Sequence, residues 1–360
     1  MAATLDERDL ELVRGLVAIP SVSRDERAAV EWLVARMGER GYRASIDEAG
    51  NAVGEIGEGP HHVVLLGHID TVPGTFPVRV EDGELVGRGA VDAKGPLAAF
   101  VAAASTPVPG VRVTVVGAVE EESPTSKGAR YRATLPPPEW CVIGEPSGWD
   151  AVTVAYKGRL GLRISLARGA RHGAAPGPTC TEEALALWSR VLAASDARTP
   201  GATGFARLDC RLEGIQGGIT DGLTERAELR IGFRVPPGIA TTELADEVAR
   251  IAAAHDGDAK VTIQPIGSEE PARTPRTTAL ARAFVGAIAD AGGNVTFKVK
   301  SGTSDMNILA PAWGCPMVAY GPGDSRYDHT PVERLALDDY ARSVTVLRGV
   351  LERARARSVR

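Results

Sequence analysis

The chain has 360 residues, 44% of them hydrophobic and 24% charged, with a formal charge of −5. This is ordinary soluble globular composition for about two domains, and the acidic balance argues against a general nucleic-acid binder. No apolar run reaches the roughly 18–20 residues that a membrane span needs, and the acidic, amphipathic start of the chain does not read as a signal peptide. The cysteines Cys141, Cys180, Cys210 and Cys315 are scattered, with no C-x-x-C spacing. Buried thiols in a reduced cytoplasm fit them better than disulfides or a cysteine zinc site. Any metal would have to be held by histidine and carboxylate.

In chain order, Leu10, Val13, Leu16 and Val17 fall at helical spacing over 6–19 and Pro20 ends the run. Ser23 followed by Glu26 reads as a capping box for a second helix, which ends near Gly41. Short strands follow at 43–47 and 52–56. The apolar run from His61 to Leu66 then predicts a buried strand ending on His68 and Asp70, two residues that share a strand face. A hairpin over 78–88 turns at Asp82-Gly83 and leads through Asp92 into a small-residue helix at 96–104. Val111 to Val119 is nearly continuous in β-branched residues, as in a strand buried on both faces, and runs into Glu120-Glu121-Glu122. A short strand at 140–143 runs into Gly144-Glu145-Pro146. Strands alternating with helices predict an α/β fold with a mostly parallel mixed sheet flanked by helices.

Near residue 156 the pattern changes. Strands at 151–157, 160–167, 204–213 and 226–235, with helices at 181–194 and 241–254, predict an inserted α+β domain over 157–268. Residues 1–156 and 269–360 then form the other domain. Its last part holds a helix at 277–290, a strand at 295–300, the polar loop 301–307, a strand at 317–320 and a Gly/Pro/Asp loop containing His329. A C-terminal helix begins near Leu337 and ends in a basic tail.

In parallel sheets, ligands bind outside the carboxyl ends of the strands. His68, Asp70, Glu121, Glu122 and Glu145 sit at such ends, with Asp92 and His329 in loops of the same half. Taken singly, each has an ordinary alternative: Asp92 as a helix cap, the three Glu as a solvated turn, Glu145 as a loop carboxylate. Their coincidence points elsewhere. Two His and three carboxylates suit a borderline divalent ion, zinc above all, with cobalt or manganese also matching. One carboxylate can bridge two ions, which together polarise a carbonyl and acidify water, while a carboxylate that is not a ligand moves the proton. His61, His62 and His255 read as surface residues.

Five motifs in order, Gly67-His68-Ile69-Asp70-Thr71-Val72-Pro73, Gly87-Arg88-Gly89-Ala90-Val91-Asp92-Ala93-Lys94-Gly95, Glu121-Glu122, Gly144-Glu145-Pro146 and Asp328-His329-Thr330-Pro331, resemble those of the dinuclear-zinc M20 amidohydrolases and peptidases. The resemblance implies a catalytic domain and an inserted lid and dimerisation domain. It implies that Asp92 bridges two divalent ions, that His68 and Glu145 complete one, and that Glu122 and His329 complete the other. Asp70 would orient His68, Glu121 would be the general base and acid, and a cis peptide would follow Asp92. The usual Asp-Glu-Glu is Glu120-Glu121-Glu122 here, which leaves a second register, Glu120 as base and Glu121 as ligand. In the inserted domain His172 matches a residue that reaches the partner subunit's site and steadies the oxyanion. Arg234, Gly302, Thr303 and Ser304 match positions near the substrate carboxylate.

Within that family the 301–307 and 320–325 loops are most similar to enzymes of lysine (and ornithine) biosynthesis that hydrolyse an amide to the acidic carrier protein LysW. Residues 151–181 contain Lys157, Arg159, Arg163, Arg168 and Arg171 but no Asp or Glu. That is either a field that steers an acidic partner to the lid or an ordinary solvated sheet face. A deacylase of free acyl amino acids is the alternative enzyme reading, and a non-catalytic dimeric binding module the remote one.

Overall fold

A computed structural model of the protein describes residues 5–219 and 221–355. Residues 1–4 and the basic tail at 356–360 lie outside the described residues. The chain divides into two compact units, one of Met1–Ala155, Thr274–Val299 and Ser304–Arg360, the other of Tyr156–Arg273 and Lys300–Thr303.

The first unit is built on a mixed sheet in which Arg43–Ile46, Ala52–Ile56, Val111–Ala118, His61–His68, Trp140–Gly144, Met317–Tyr320 and Ala151–Tyr156 are neighbours in that order. The four strands from Val111–Ala118 to Met317–Tyr320 run parallel, and the flanking pairs are antiparallel. Helices Glu7–Ala18, Lys94–Ala104, Ala279–Asp290 and Leu337–Arg355 supply much of the apolar core. The Lys94–Ala104 helix is buried along its whole length. It lies deep because Gly117, Gly67 and Gly144 occupy one row across three parallel strands. A Cβ on Gly144 would meet the Cα of Gly67 and the Phe100 ring, each at 2.9 Å. A three-stranded sheet aligns Arg334–Ala336 with Glu84–Val86 and Arg79–Glu81.

The second unit is a four-stranded antiparallel sheet, Asp209–Ile219, Thr224–Val235, Gly158–Gly169 and Lys260–Glu269 in spatial order. Helices Cys180–Arg198 and Thr241–Ala253 cover one face and form its core with the inward residues of the sheet. Thr179 and Glu182 make a reciprocal capping box at the first of these. Among the described residues no helix is long and apolar enough to cross a membrane.

Several local expectations change. The Ser23/Glu26 pair is not a capping box, because the helix starts at Arg27 and both side chains are used elsewhere. The expected strand over 204–213 starts at Asp209, after a 3-10 turn at Gly204–Ala206. Helices Lys127–Ala133 and Met306–Trp313 and the strand Lys260–Glu269 lie where no element is expected. The side chain of His255 is buried, with Nε2 2.7 Å from the Glu183 carboxylate.

The basic run of 157–171 is neutralised from distant parts of the second unit. Lys157 pairs with Asp209 at 2.7 Å, Arg159 with Glu269 at 2.9 Å, and Arg163 with Glu228 at 3.4 Å. Arg168 is held by Glu183 and Glu225 and, with Arg171, by Asp258. The run is therefore a set of paired cations, not a free positive field.

Candidate metal centre

Four adjacent parallel strands deliver the candidate ligands. His68 ends its strand, the Val111–Ala118 strand runs on to Glu121 and Glu122, Trp140–Gly144 to Glu145, and Met317–Tyr320 to the loop of His329. Asp92 sits just before the Lys94–Ala104 helix and is followed by a cis Asp92-Ala93 peptide. Three groups converge, each with one ligand atom per residue within 4.8 Å of the others: His68, Asp92 and Glu145; His68, Glu121 and Glu122; and Asp92, Glu122 and His329. Asp92 thus belongs to the first and third groups, whose five members are the five residues picked out as ligands.

The donor chemistry fits divalent ions. His68 Nδ1 donates to the backbone carbonyl of Asp70 at 2.9 Å, which in the neutral ring leaves Nε2 as a lone pair 3.2 Å from Asp92 Oδ1. Two acceptors facing each other need a cation, either a proton or a metal. Burial works against a charged His68, but the nearby Asp70 and Asp92 carboxylates outweigh it and raise the pKa well above the ordinary value. His329 Nε2 lies 2.7 Å from Glu122 Oε1 and 2.9 Å from Asp92 Oδ2, and these two carboxylates push its pKa up to about 10. For Asp92, burial favours the neutral acid, yet His329 and His68 hold its pKa well below the carboxylate range.

Excess negative charge points the same way. Burial, and then Asp305, Glu145 and Glu122, lift the Glu121 carboxyl well above the usual range, against the opposing pull of His68. Burial and Asp70 push Asp305 up to about 7, and its buried Oδ1 has no hydrogen-bond partner among the described residues. Such crowding of carboxylates around two imidazoles is what bound cations would relieve.

Asp70 has a wider job than orienting a histidine. Its carboxylate lies 3.6 Å from His68 Nδ1, beyond hydrogen-bond length, so the direct bond to the ring comes from its own carbonyl. The carboxylate accepts the N–H of Glu121 and of Glu122, each at 3.0 Å, and the Ser23 hydroxyl at 2.7 Å. Glu26 accepts the Glu120 N–H at 3.1 Å. These bonds hold the glutamate turn, in which Glu120 takes a left-handed φ of 62°, an unfavourable conformation for a non-glycine residue. Glu120 itself points to Thr125 at 2.5 Å and Arg24 at 3.9 Å. Ser23 and Glu26 belong to this support, which the sequence pattern hid behind a helix-start signature.

The remaining sequence-derived residues fall in other places. His172 is exposed in the second unit, and its Nδ1 accepts the Ala174 N–H at 3.1 Å. Arg234, also in the second unit, has a buried Nη1 without a partner among the described residues. Gly302 is exposed and Thr303 half-buried. Ser304, in the first unit, is buried, and its hydroxyl accepts the Met306 N–H at 3.2 Å.

A family model described as Peptidase family M20/M25/M40 matches residues 64–353. The chain is similar to the LysW-lysine hydrolase of Deinococcus radiodurans, 45% identical over 352 residues that cover 95% of this chain and 96% of that protein. It is also similar to the succinyl-diaminopimelate desuccinylase of Sphingopyxis alaskensis, at 28% identity over 96% of this chain and 97% of that one. Among solved structures, the M20 family metallo-carboxypeptidase Sso-CP2 from Sulfolobus solfataricus superposes with a TM-score of 0.79, covering 97% of this chain and 99% of that chain. At 16% identity that likeness shows the fold alone.

Proposed function

The chain belongs to peptidase family M20/M25/M40, and from that premise we propose that this metallo-amidohydrolase releases lysine, and also ornithine, from the acidic carrier protein LysW. The similarity to the Deinococcus LysW-lysine hydrolase over nearly both whole chains supports the substrate. The observation that carries the chemistry is the convergence of His68, Asp92, Glu122, Glu145 and His329 around shared carboxylates. In this reading His68 and Glu145 would hold one ion, Glu122 and His329 would hold the other, and Asp92 would serve both sets. Nitrogen and carboxylate donors favour zinc, with cobalt as a functional substitute. Two such ions polarise a carbonyl and acidify water when bound.

The chain's own residues do the rest. Glu121, whose carboxyl is lifted above the usual range by burial and neighbouring acids, accepts the proton of the attacking water on a carboxylate oxygen. It then delivers that proton to the amide nitrogen as the amine leaves. Asp70 keeps the Glu121 and Glu122 backbones in place and fixes the His68 tautomer. The bond from Ala174 to His172 Nδ1 puts the hydrogen of a neutral ring on Nε2, a donor suited to an oxyanion. Arg234, with an unused guanidinium nitrogen, suits a substrate carboxylate, and Gly302, Thr303 and Ser304 contribute the neighbouring contacts.

The reading also places the protein in the cytoplasm, as a homodimer paired through residues 157–268, the lid and dimerisation domain inserted between catalytic segments 1–156 and 269–360. Metal analysis with a substrate panel tests the function: two divalent ions per chain and turnover of carrier-linked lysine are expected. Robust cleavage of acetyl-lysine or acetylornithine with no turnover of the carrier adduct would refute the carrier reading and leave a free-substrate deacylase.

A further inference from the structure

Glu333 is completely buried, four residues beyond His329. Pairing of Arg334–Ala336 with Glu84–Val86 brings it against the turn that carries Asp92. One carboxylate oxygen, Oε1, accepts the N–H of Val91 at 2.9 Å and of Asp92 at 3.0 Å. The other, Oε2, takes Arg88 Nη1 at 2.8 Å, and the Glu333 carbonyl accepts the Gly87 N–H at 3.2 Å. Arg88 is fixed in turn by a bond from Nε to the Gly74 carbonyl at 2.9 Å and by the Phe76 ring, 5.5 Å from its guanidinium carbon. The Lys94–Ala104 helix has no side-chain cap, since its N-cap is Ala93. The N–H groups just ahead of it are instead satisfied by a residue more than 240 positions away.

This arrangement is costly to build. A buried carboxylate persists only when its lone pairs are satisfied and its charge is paired, as they are here. Its effect is directional. The Asp92 side chain must present Oδ1 towards His68 and Oδ2 towards His329, and that orientation follows from the backbone at 91–92. The same residue anchors the chain segment just after His329.

We infer that Glu333, backed by Arg88, is a positioning residue of the metal centre: one buried clamp aims the Asp92 carboxylate and ties the His329 loop to it. The inference rests on the metal reading proposed above but not on the identity of the substrate. Partners of metal ligands that do not touch the ion typically alter affinity about 10–100-fold when removed.

The test is a cobalt titration of metal-free wild type, Glu333→Gln and Arg88→Gln, followed by visible absorption and by isothermal calorimetry. Circular dichroism and thermal melts establish the folded fraction of each. Folded Glu333→Gln is expected to bind the weaker ion about 10–100-fold less tightly and to show a changed cobalt band. Arg88→Gln should shift both in the same direction by less. A folded Glu333→Gln protein with wild-type affinity for both ions and a wild-type spectrum would overturn the inference. Should that variant fail to fold, wild-type binding by folded Arg88→Gln overturns it equally. Failure of wild type to cleave the carrier adduct refutes the substrate assignment and leaves these titrations untouched. A wild type that binds no ion overturns both readings.

Discussion

Replacing Glu121 by Gln isolates proton transfer from metal binding. The amide keeps the length and one acceptor oxygen of the carboxylate but cannot take a proton at neutral pH. The backbone should not move, because the residue 121 N–H stays on Asp70 Oδ1 and the residue 122 N–H on Asp70 Oδ2, both at 3.0 Å. The five residues assigned as ligands remain. A positioned general acid and base is worth about 10²–10⁴ in rate, so kcat should fall by that factor, equivalent to about 3–5 kcal/mol of transition-state stabilisation. The assay is release of free lysine from saturating carrier-linked substrate, with the metal content of the same preparation measured by mass spectrometry. The metal-free variant should melt no lower than wild type, since burial and the acids around it disfavour the Glu121 charge. A kcat within tenfold of wild type at full metal content would refute the assignment. Loss of one ion would show Glu121 to be a ligand and favour the register in which Glu120 is the base, whereas the present geometry expects Glu120→Gln to retain turnover.

Three further outcomes follow from other parts of the molecule. Burial and then Arg112 lower the pKa of His62 to about 4, and its ring bonds the Thr114 hydroxyl at 2.9 Å; its neutral form stabilises the fold above about pH 6.5, the unfolded value, and that contribution is lost as pH falls towards 4. Thermal melts of His62→Asn should accordingly fall less steeply between pH 6.5 and 4 than those of wild type, and parallel curves would contradict this. Lys157→Met removes a buried ammonium that bonds the Gly204 and Arg207 carbonyls and Asp209; a loss of about 3–5 kcal/mol in urea denaturation is expected, with faster hydrogen exchange over 204–209, and an unchanged midpoint would count against it. Arg163→Ala breaks a half-exposed pair with Glu228, so kcat/KM for the carrier substrate should change by no more than about 1 kcal/mol; a large loss that high salt reproduces would restore the idea of a steering field at that position.

The centre of the first unit was legible because one physical requirement shapes both sequence and structure. A strand buried on both faces must be a continuous apolar run, so His61–His68, Val111–Ala118 and Trp140–Gly144 stand out, and polar residues at their carboxyl ends have to be explained by something else. What the pattern concealed were residues whose partners are remote in sequence. Ser23 and Glu26 have the spacing of a helix cap, yet the first bonds Asp70 and the second bonds the Glu120 backbone. The Lys260–Glu269 strand is an edge strand containing Pro265 and a register shift, which breaks the alternation. The Met306–Trp313 helix follows a Ser/Gly/Thr loop and contains Pro311, so it lacks both a clear start and an uninterrupted period. The cations of 157–171 looked unopposed only because Asp209, Glu225, Glu228, Asp258 and Glu269 arrive from later strands and loops.

The row formed by Gly117, Gly67 and Gly144 divides the molecule into parts that can and cannot drift. A methyl group at 144 has nowhere to go, since the opposing atoms are backbone and a buried ring, and the residues one step along the chain are His68 and Glu145. Adaptation that alters the distance between ligands therefore has little access through this layer. It must act on the loops that carry Glu122 and His329, where exposed residues such as His329, Pro124 and Thr125 leave side chains room to change. Substrate preference and metal preference in such a protein can diverge from loop to loop while the floor beneath them stays as it is.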